Sequence, residues 1–228
     1  MTSLSALKDC LGRRPEIIEK IQCKPEQLDK IKQLLTKEQQ TCQVEVSHAI
    51  KTAIAAWVRI ELFDEADFLQ DVEEKESPVV LFLDHISDPR NFGAILRTCA
   101  FYNVDWLVVA KDRQALLTDA SVATAQAGYT RTSIAQVTNL TRVVTKLKSL
   151  GYWVFGMDGS GERLDSGKHD AAKKVLILGA EDKGLSHSLK RQCDFKVGFG
   201  PQNPSIDSLN VSVACGIALN SFMEIDKK

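Results

Sequence analysis

Six short, nearly uninterrupted apolar runs punctuate the chain beyond Pro78, at residues 79–84, 104–110, 134–137, 152–157, 175–179 and 195–199. A strand with one wet face alternates apolar and polar residues, whereas a continuous run marks a strand buried on both faces, as in parallel sheets. Between the runs lie segments with helical spacing, at 91–102, 115–127, 139–150, 186–192 and 209–222. This alternation predicts an α/β fold, a parallel sheet with helices on both faces. A dinucleotide-binding version would need a Gly-x-Gly-x-x-Gly turn after its first strand, but that strand runs into DHISDPRNFG. The glycine-containing stretch DGSGERLDSG from Asp158 leads to polar sequence rather than a helix, and reads as a mobile surface loop. A nucleotide-dependent enzyme of small molecules therefore lacks its phosphate loop.

Ahead of Pro78 the pattern is different. Leu4, Leu7 and Leu11 mark a first helix, Pro25 restarts one with Leu28, Ile31, Leu34 and Leu35 on a face, and residues 43–46 and 53–60 read as strands. The net charge of −1 conceals a division: ten basic against seven acidic residues in 1–60, one against eight in 61–78, and eighteen against fifteen in 79–228. The acidic block ELFDEADFLQDVEEKESP reads as a solvated connector, giving a small α/β domain at 1–60, a linker at 61–78 and a main domain at 79–228. Neither flanking part is basic enough for charge alone to indicate nucleic acid. Arg13, Arg14 and Lys51 are the candidates there for phosphate contacts, against the commoner role of solvated surface charge.

No apolar run approaches the roughly 20 residues of a membrane helix, and the opening MTSLSALKDCLGRR is too brief in apolar residues for a secretory signal, so a cytoplasmic, membrane-free protein is expected. Six cysteines without Cys-x-x-Cys spacing and four scattered histidines suggest neither a metal site nor a disulfide framework.

Three stretches set polar groups at the ends of apolar runs. In LDHISDPRNFGAILRTCAFYNVDWLVV, Phe92, Ile95, Leu96, Cys99 and Ala100 form one helical face, Asn91 stands at the helix start and Arg97 lies off the buried stripe. In VLILGAEDKGLS a strand ends at Gly179, turns through Glu181 and passes Gly184. In SIDSLNVSVACGIAL a helix is entered through Ser208, Leu209 and Asn210. Any one of these, alone, reads as a helix cap or a surface turn. Ligands of open α/β sheets bind at the carboxyl ends of the strands, where all three would converge.

In order and in one chain, these stretches resemble the three motifs of the SpoU/TrmH-type RNA ribose 2'-O-methyltransferases of the SPOUT superfamily, over Pro78 to the C-terminus. The resemblance implies a C-terminal deep trefoil knot and S-adenosylmethionine as the methyl donor. It further implies an active site of Asn91, Arg97, Glu181, Ser208 and Asn210, with Gly179, Phe199 and Leu209 lining the cofactor pocket. The implied substrate is rRNA or tRNA, and the implied assembly a homodimer through the knotted domain, with Val213, Ile217, Leu219 and Phe222 of the last helix as interface candidates. Two departures stand out. VGFGPQNPS replaces the usual Ile-Pro-Met, putting Phe199 in the isoleucine's place. The first domain is similar in layout to a ribosomal-protein-type RNA-binding domain, but has Ile50, Lys51 and Thr52 where His-Gln-Gly is usual.

Methyl transfer to a ribose hydroxyl needs that hydroxyl oriented and made more anionic. A fixed arginine beside the target phosphate does both, but guanidinium hardly ever surrenders its proton, which leaves the general base open. The alternative function is a non-catalytic RNA-binding relative that keeps the knotted fold; retention of all five polar positions favours the enzyme.

Overall fold

A computed structural model describes residues 1–35, 42–112, 117–163, 173–199 and 208–224. The first part comprises α1 (Leu4–Arg13), β1 (Ile18–Cys23), α2 (Leu28–Leu34), β2 (Gln43–Val46) and β3 (Ile54–Val58). Its three-stranded sheet has the order β2-β1-β3, with β1 parallel to β2 and antiparallel to β3. The central strand β1 is not among the sequence-based expectations, because its apolar Ile18, Ile21 and Cys23 are diluted by Glu19, Lys20 and Gln22. Ile21 and Cys23 are nonetheless fully buried with Ile54 of the neighbouring strand.

The second part continues with β4 (Leu62–Phe63), α3 (Glu65–Glu74), β5 (Val79–Leu83), α4 (Pro89–Phe101), β6 (Trp106–Ala110), α5 (Asp119–Ala125), β7 (Ser133–Val137), α6 (Leu140–Ser149), β8 (Trp153–Arg163), β9 (Lys174–Leu178), α7 (His187–Lys190), β10 (Phe195–Gly198) and α8 (Val211–Glu224). Seven strands form one sheet, ordered β10-β8-β9-β5-β6-β7-β4, and every recorded pairing in it is parallel. Apolar residues fill both sides: Leu81, Leu107 and Leu176 pack with α4 and α8, while Val80, Phe82 and Ile177 pack with α3 and α6. The expected α/β sheet with helices on both faces is what forms.

The acidic stretch at 61–78 is not a solvated connector. Leu62 and Phe63 add a parallel edge strand to β7, and α3 is nucleated by a reciprocal capping box between Asp64 and Asp67. Phe68 and Val72, one turn apart, are fully buried; Phe68 meets Trp106 edge to face at a centroid separation of 5.3 Å. Burying such a phenylalanine contributes about 2–3 kcal/mol, and the carboxylates simply occupy the helix's outer face. Trp106 Nε1 also donates to Asp71 Oδ2 at 2.6 Å, giving one of those carboxylates a structural use.

The stretch from Asp158 likewise departs from its reading as a loop. Residues 158–163 prolong β8, and Glu162 and Arg163 pair with Val197 and Gly198 of β10. Close backbone approach explains the glycine: a Cβ at Gly161 would lie 2.7 Å from the carbonyl carbon of Lys196. The remainder, 164–167, lies outside the described residues.

The two parts are tied by polar contacts. Asp9 of α1 accepts from the Arg131 guanidinium and from Thr130 Oγ1 (3.2 Å), while Arg14 bridges Glu16 (3.2 Å) and Glu61 (2.5 Å). Arg13 pairs with Asp9 at 3.6 Å. Arg13 and Arg14 thus have internal partners, and of the three candidate phosphate ligands Lys51 is exposed with no ion pair among the described residues.

Candidate active site at the carboxyl edge of the sheet

β5 and β9 are neighbours, with Leu83 opposite Leu178, so the chain leaves both strands side by side at one sheet edge. After β5 it turns into α4, whose start is fixed by Pro89 in the first turn and by Asp88, which accepts from Arg90 N at 2.7 Å. After β9 it makes a tight turn in which Gly184 N donates to Ala180 O at 2.8 Å. Gly179 is obligatory there, because an added Cβ would sit 2.2 Å from the carbonyl carbon of Gly184. Gly184 itself takes a φ of +63°, a region costly for other residues.

This turn presents Glu181, whose Oε1 is the hub of the edge. It accepts from Asn91 Nδ2 at 3.2 Å, from Asn210 Nδ2 at 2.6 Å and from the backbone N of Val211 at 2.9 Å. Asn210 Nδ2 also donates to Asn91 Oδ1 at 3.0 Å, and Asn210 Oδ1 accepts from Ser212 N at 3.0 Å and Ser212 Oγ at 2.6 Å. A carboxylate on the first free N–H of a fourteen-residue helix sits at the positive end of its dipole. Three loops distant in sequence are thereby laced together, with Asn91, Glu181 and Asn210 in direct contact.

The other sequence-predicted residues do not join this cluster. Ser208 and Leu209 are exposed at the irregular entry to α8, immediately before Asn210. Arg97 lies on α4 six residues beyond Asn91, exposed and without an ion pair among the described residues. Its backbone is covered closely: a Cβ at Gly128 would come within 3.1 Å of Arg97 Cα. Phe199, just past the end of β10, packs partly buried against the core, and β8 lies between β10 and β9 in the sheet. Most of the loop that follows it, 200–207, lies outside the described residues.

Two further groups at this edge escape the sequence reading. Asp84, at the end of β5, is buried; its Oδ2 accepts from Ser186 N at 2.6 Å, and its Oδ1 lies 2.5 Å from Nδ1 of His85. The signal available was a carboxylate closing an otherwise apolar run, a position where burial demands a partner.

α8 divides its apolar residues between two environments. Val211, Cys215, Ala218, Leu219 and Phe222 are buried, whereas Val213 and Ile217, one turn apart, are 51 % and 41 % exposed. Leu219 and Phe222 are therefore core residues of the subunit itself. Phe101 at the end of α4 is 78 % exposed, and Tyr102 Oη donates to Asn220 Oδ1 at 3.1 Å, tying the two helices together. At the far end of α8 the buried Lys174 donates to Phe222 O at 3.3 Å and lies 5.0 Å from the Phe222 ring. It thereby meets one of the carbonyls that the helix end leaves unpaired.

Among the described residues no helix is long and apolar enough to cross a membrane, and no group of three His, Cys, Asp or Glu side chains is placed to hold a metal ion.

Comparison with known proteins adds an independent line. The SpoU rRNA Methylase family profile matches residues 78–220. An uncharacterised tRNA/rRNA methyltransferase of Mycoplasma genitalium is 40 % identical over 150 residues, covering 65 % of this chain and 62 % of that protein. The 23S rRNA (guanosine-2'-O-)-methyltransferase RlmB of Coxiella burnetii is 34 % identical over 167 residues, covering 73 % of this chain and 66 % of RlmB. The match thus spans somewhat under two thirds of these relatives' length. In three dimensions the chain is similar to the SpoU methyltransferase AviRb of Streptomyces viridochromogenes, solved with AdoMet. The TM-score is 0.76 at 17 % identity, over all of this chain and 90 % of that one, a likeness of fold that includes the first part. With its matched segment covering six of the sheet's seven strands, the Glu181 hub and most of α8, this chain belongs to the SpoU rRNA methylase family.

Proposed function

We propose that the protein transfers a methyl group from S-adenosylmethionine to a ribose 2'-hydroxyl of ribosomal or transfer RNA in the cytoplasm. The observation that carries this reading is the contact of Asn91, Glu181 and Asn210 at one edge of the sheet. Capping α8 accounts for Glu181 on Val211 N and Asn210 on Ser212 N; the bonds of Asn91, from a third loop, to both of these side chains, together with the exposed Arg97 and Ser208, exceed that need.

The residues present suit the methyl donor. Leu209 offers an exposed apolar side chain beside the cluster, and the position where Gly184 would carry a side chain opens onto free space, leaving bare backbone for a flat adenosyl group. Gly179, Leu209 and Phe199 are assigned to holding it. When bound, S-adenosylmethionine supplies an electrophilic methyl on a sulfonium. Arg97 contributes a permanent cation that orients the ribose-phosphate and favours negative charge on the ribose oxygen. Glu181 fixes both asparagines, and Ser208 and Asn210 line the approach to the reacting sugar.

Three features extend the proposal. The C-terminal part of the main domain adopts a deep trefoil knot. Two copies pair through the face of Val213, Ile217 and Phe101, whose exposure on otherwise well-packed helices is explained by a second subunit. The first part acts as an RNA-binding domain through the outer face of its sheet. There Trp57 is 45 % exposed with Lys20 Nζ 5.9 Å from its ring, and Gln22 and Gln43 donate to Glu45 at 3.0 and 2.8 Å. An exposed indole flanked by amides suits stacking and edge recognition of an unpaired base.

The test is incubation of the purified protein with radiolabelled S-adenosylmethionine and total RNA from a host strain lacking it, followed by mapping of ribose methylation. Label at a 2'-oxygen is expected. Absence of cofactor binding by calorimetry, with RNA binding intact, would replace the enzyme by an RNA-binding relative.

A further inference from the structure

The proposed reaction needs a group to accept the hydroxyl proton, and among the five polar residues of the site the one carboxylate, Glu181, is committed through Oε1 to holding the two asparagines and the start of α8. Arg97 stays protonated, and Ser208, Asn91 and Asn210 are not bases. The same edge carries a histidine with the necessary support. Asp84 is buried to 2 % exposure and approaches His85 Nδ1 at 2.5 Å. Its other oxygen is occupied by Ser186 N, so the carboxylate cannot swing away without releasing the turn that follows β9.

A carboxylate accepts, so Nδ1 of the neutral imidazole carries the hydrogen, and Nε2 presents a lone pair outward. The imidazole is 51 % exposed. Its backbone is also unusual: His85 has a φ of +62°, a left-handed conformation that only a few per cent of non-glycine residues adopt, histidine more readily than most. A sparsely populated conformation persists where the surroundings enforce it, often at functional sites. The other histidine at this edge, His187 on α7, has no carboxylate partner among the described residues.

Resting on the methyl-transfer reading, we propose that His85 is the general base of the reaction, oriented by Asp84. Nε2 takes the proton of the ribose 2'-hydroxyl as the oxygen lone pair forms the new O–C bond. The C–S bond of the sulfonium donor breaks with its electron pair returning to sulfur, which leaves as a neutral thioether. The imidazolium then releases its proton to water.

The experiment compares wild type with His85→Gly, a substitution suited to the backbone at φ +62°. Single-turnover methyl transfer to total host RNA is expected to fall about 100-fold or more, with RNA and S-adenosylmethionine affinities unchanged, and to recover in a saturable manner on addition of free imidazole. Nitrogen-15 NMR of the wild type should show the neutral His85 ring protonated on Nδ1. A variant within threefold of wild type, a loss that imidazole does not restore, or a ring protonated on Nε2 would each overturn the assignment. A wild type that binds RNA and methylates none of it would instead remove the methyl-transfer reading, and this one with it.

Discussion

Asn210 Nδ2 lies 2.6 Å from Glu181 Oε1, a hydrogen bond across 29 residues of chain that fixes the entry of α8 to the turn after β9. Since the same oxygen receives the backbone N of Val211, the contact is at once a helix cap and part of the candidate site.

Replacing Glu181 by alanine therefore has two expected effects. Loss of the cap lowers unfolding free energy by about 1 kcal/mol, read by urea denaturation, and release of Asn91 and Asn210 abolishes methyl transfer. Glu181→Gln keeps the shape and a carbonyl oxygen for the three donors but removes the negative charge at the start of α8. It should recover most of the stability and little of the activity; equal recovery of both would reduce Glu181 to a cap.

Arg97→Ala separates binding from chemistry. The side chain is exposed and unpaired among the described residues, so stability should change by less than about 0.5 kcal/mol. Methyl incorporation should disappear while S-adenosylmethionine affinity, measured by calorimetry, stays nearly constant. Full activity in the variant would remove its role at the ribose-phosphate.

Val213→Glu together with Ile217→Glu places charge on the exposed stripe of α8 without entering the core. Sedimentation velocity at micromolar concentration should show dimers for the wild type and monomers of unchanged circular dichroism for the double variant. A wild-type monomer would leave the stripe without the proposed partner.

Acid stability should carry the mark of Asp158. The Lys190 ammonium at 2.5 Å, followed by the backbone N–H of Ser160, depresses its carboxyl from the ordinary 3.8 to about 2. A depressed folded value means stability that is present above the unfolded value and lost as pH falls through the folded one, a window from about 4 to 2. Asp158→Asn should then cost about 1 kcal/mol near neutrality, modest because Lys190 is half-exposed, and nothing below pH 2. A cost that persists in acid would point to packing instead.

Trp57→Ala tests the first part. Its side chain is already half in solvent, so the fold should persist, while RNA affinity in a filter-binding assay should fall about tenfold, as loss of one stacked base predicts. An unchanged affinity would place RNA recognition elsewhere.

The main sheet was legible because its strands are buried on both faces and need continuous apolar runs; 79–84 and 175–179 foretell β5 and β9 to within a residue. Elements whose burial rests on one or two side chains were not. Phe68 and Val72 anchor α3 among its five carboxylates, and Ile21 and Cys23 carry β1 among charged neighbours, so composition pointed to solvent while two buried contacts decided the fold.

Of the site, resemblance to the three family motifs selected Asn91, Arg97, Glu181, Ser208 and Asn210. Their partition is a property of the folded chain: Asn91, Glu181 and Asn210 bond to one another, while Arg97 and Ser208 face solvent. Asp84 and His85 were passed over because a buried carboxylate acquires its partners, Ser186 and the imidazole, only when β5 and β9 lie side by side. Local order along the chain determined which residues stand at strand ends. Tertiary structure alone decided which of them touch, because a hydrogen bond of under 3 Å between residues 29 or 102 positions apart depends on the packing of whole elements, not on sequence spacing.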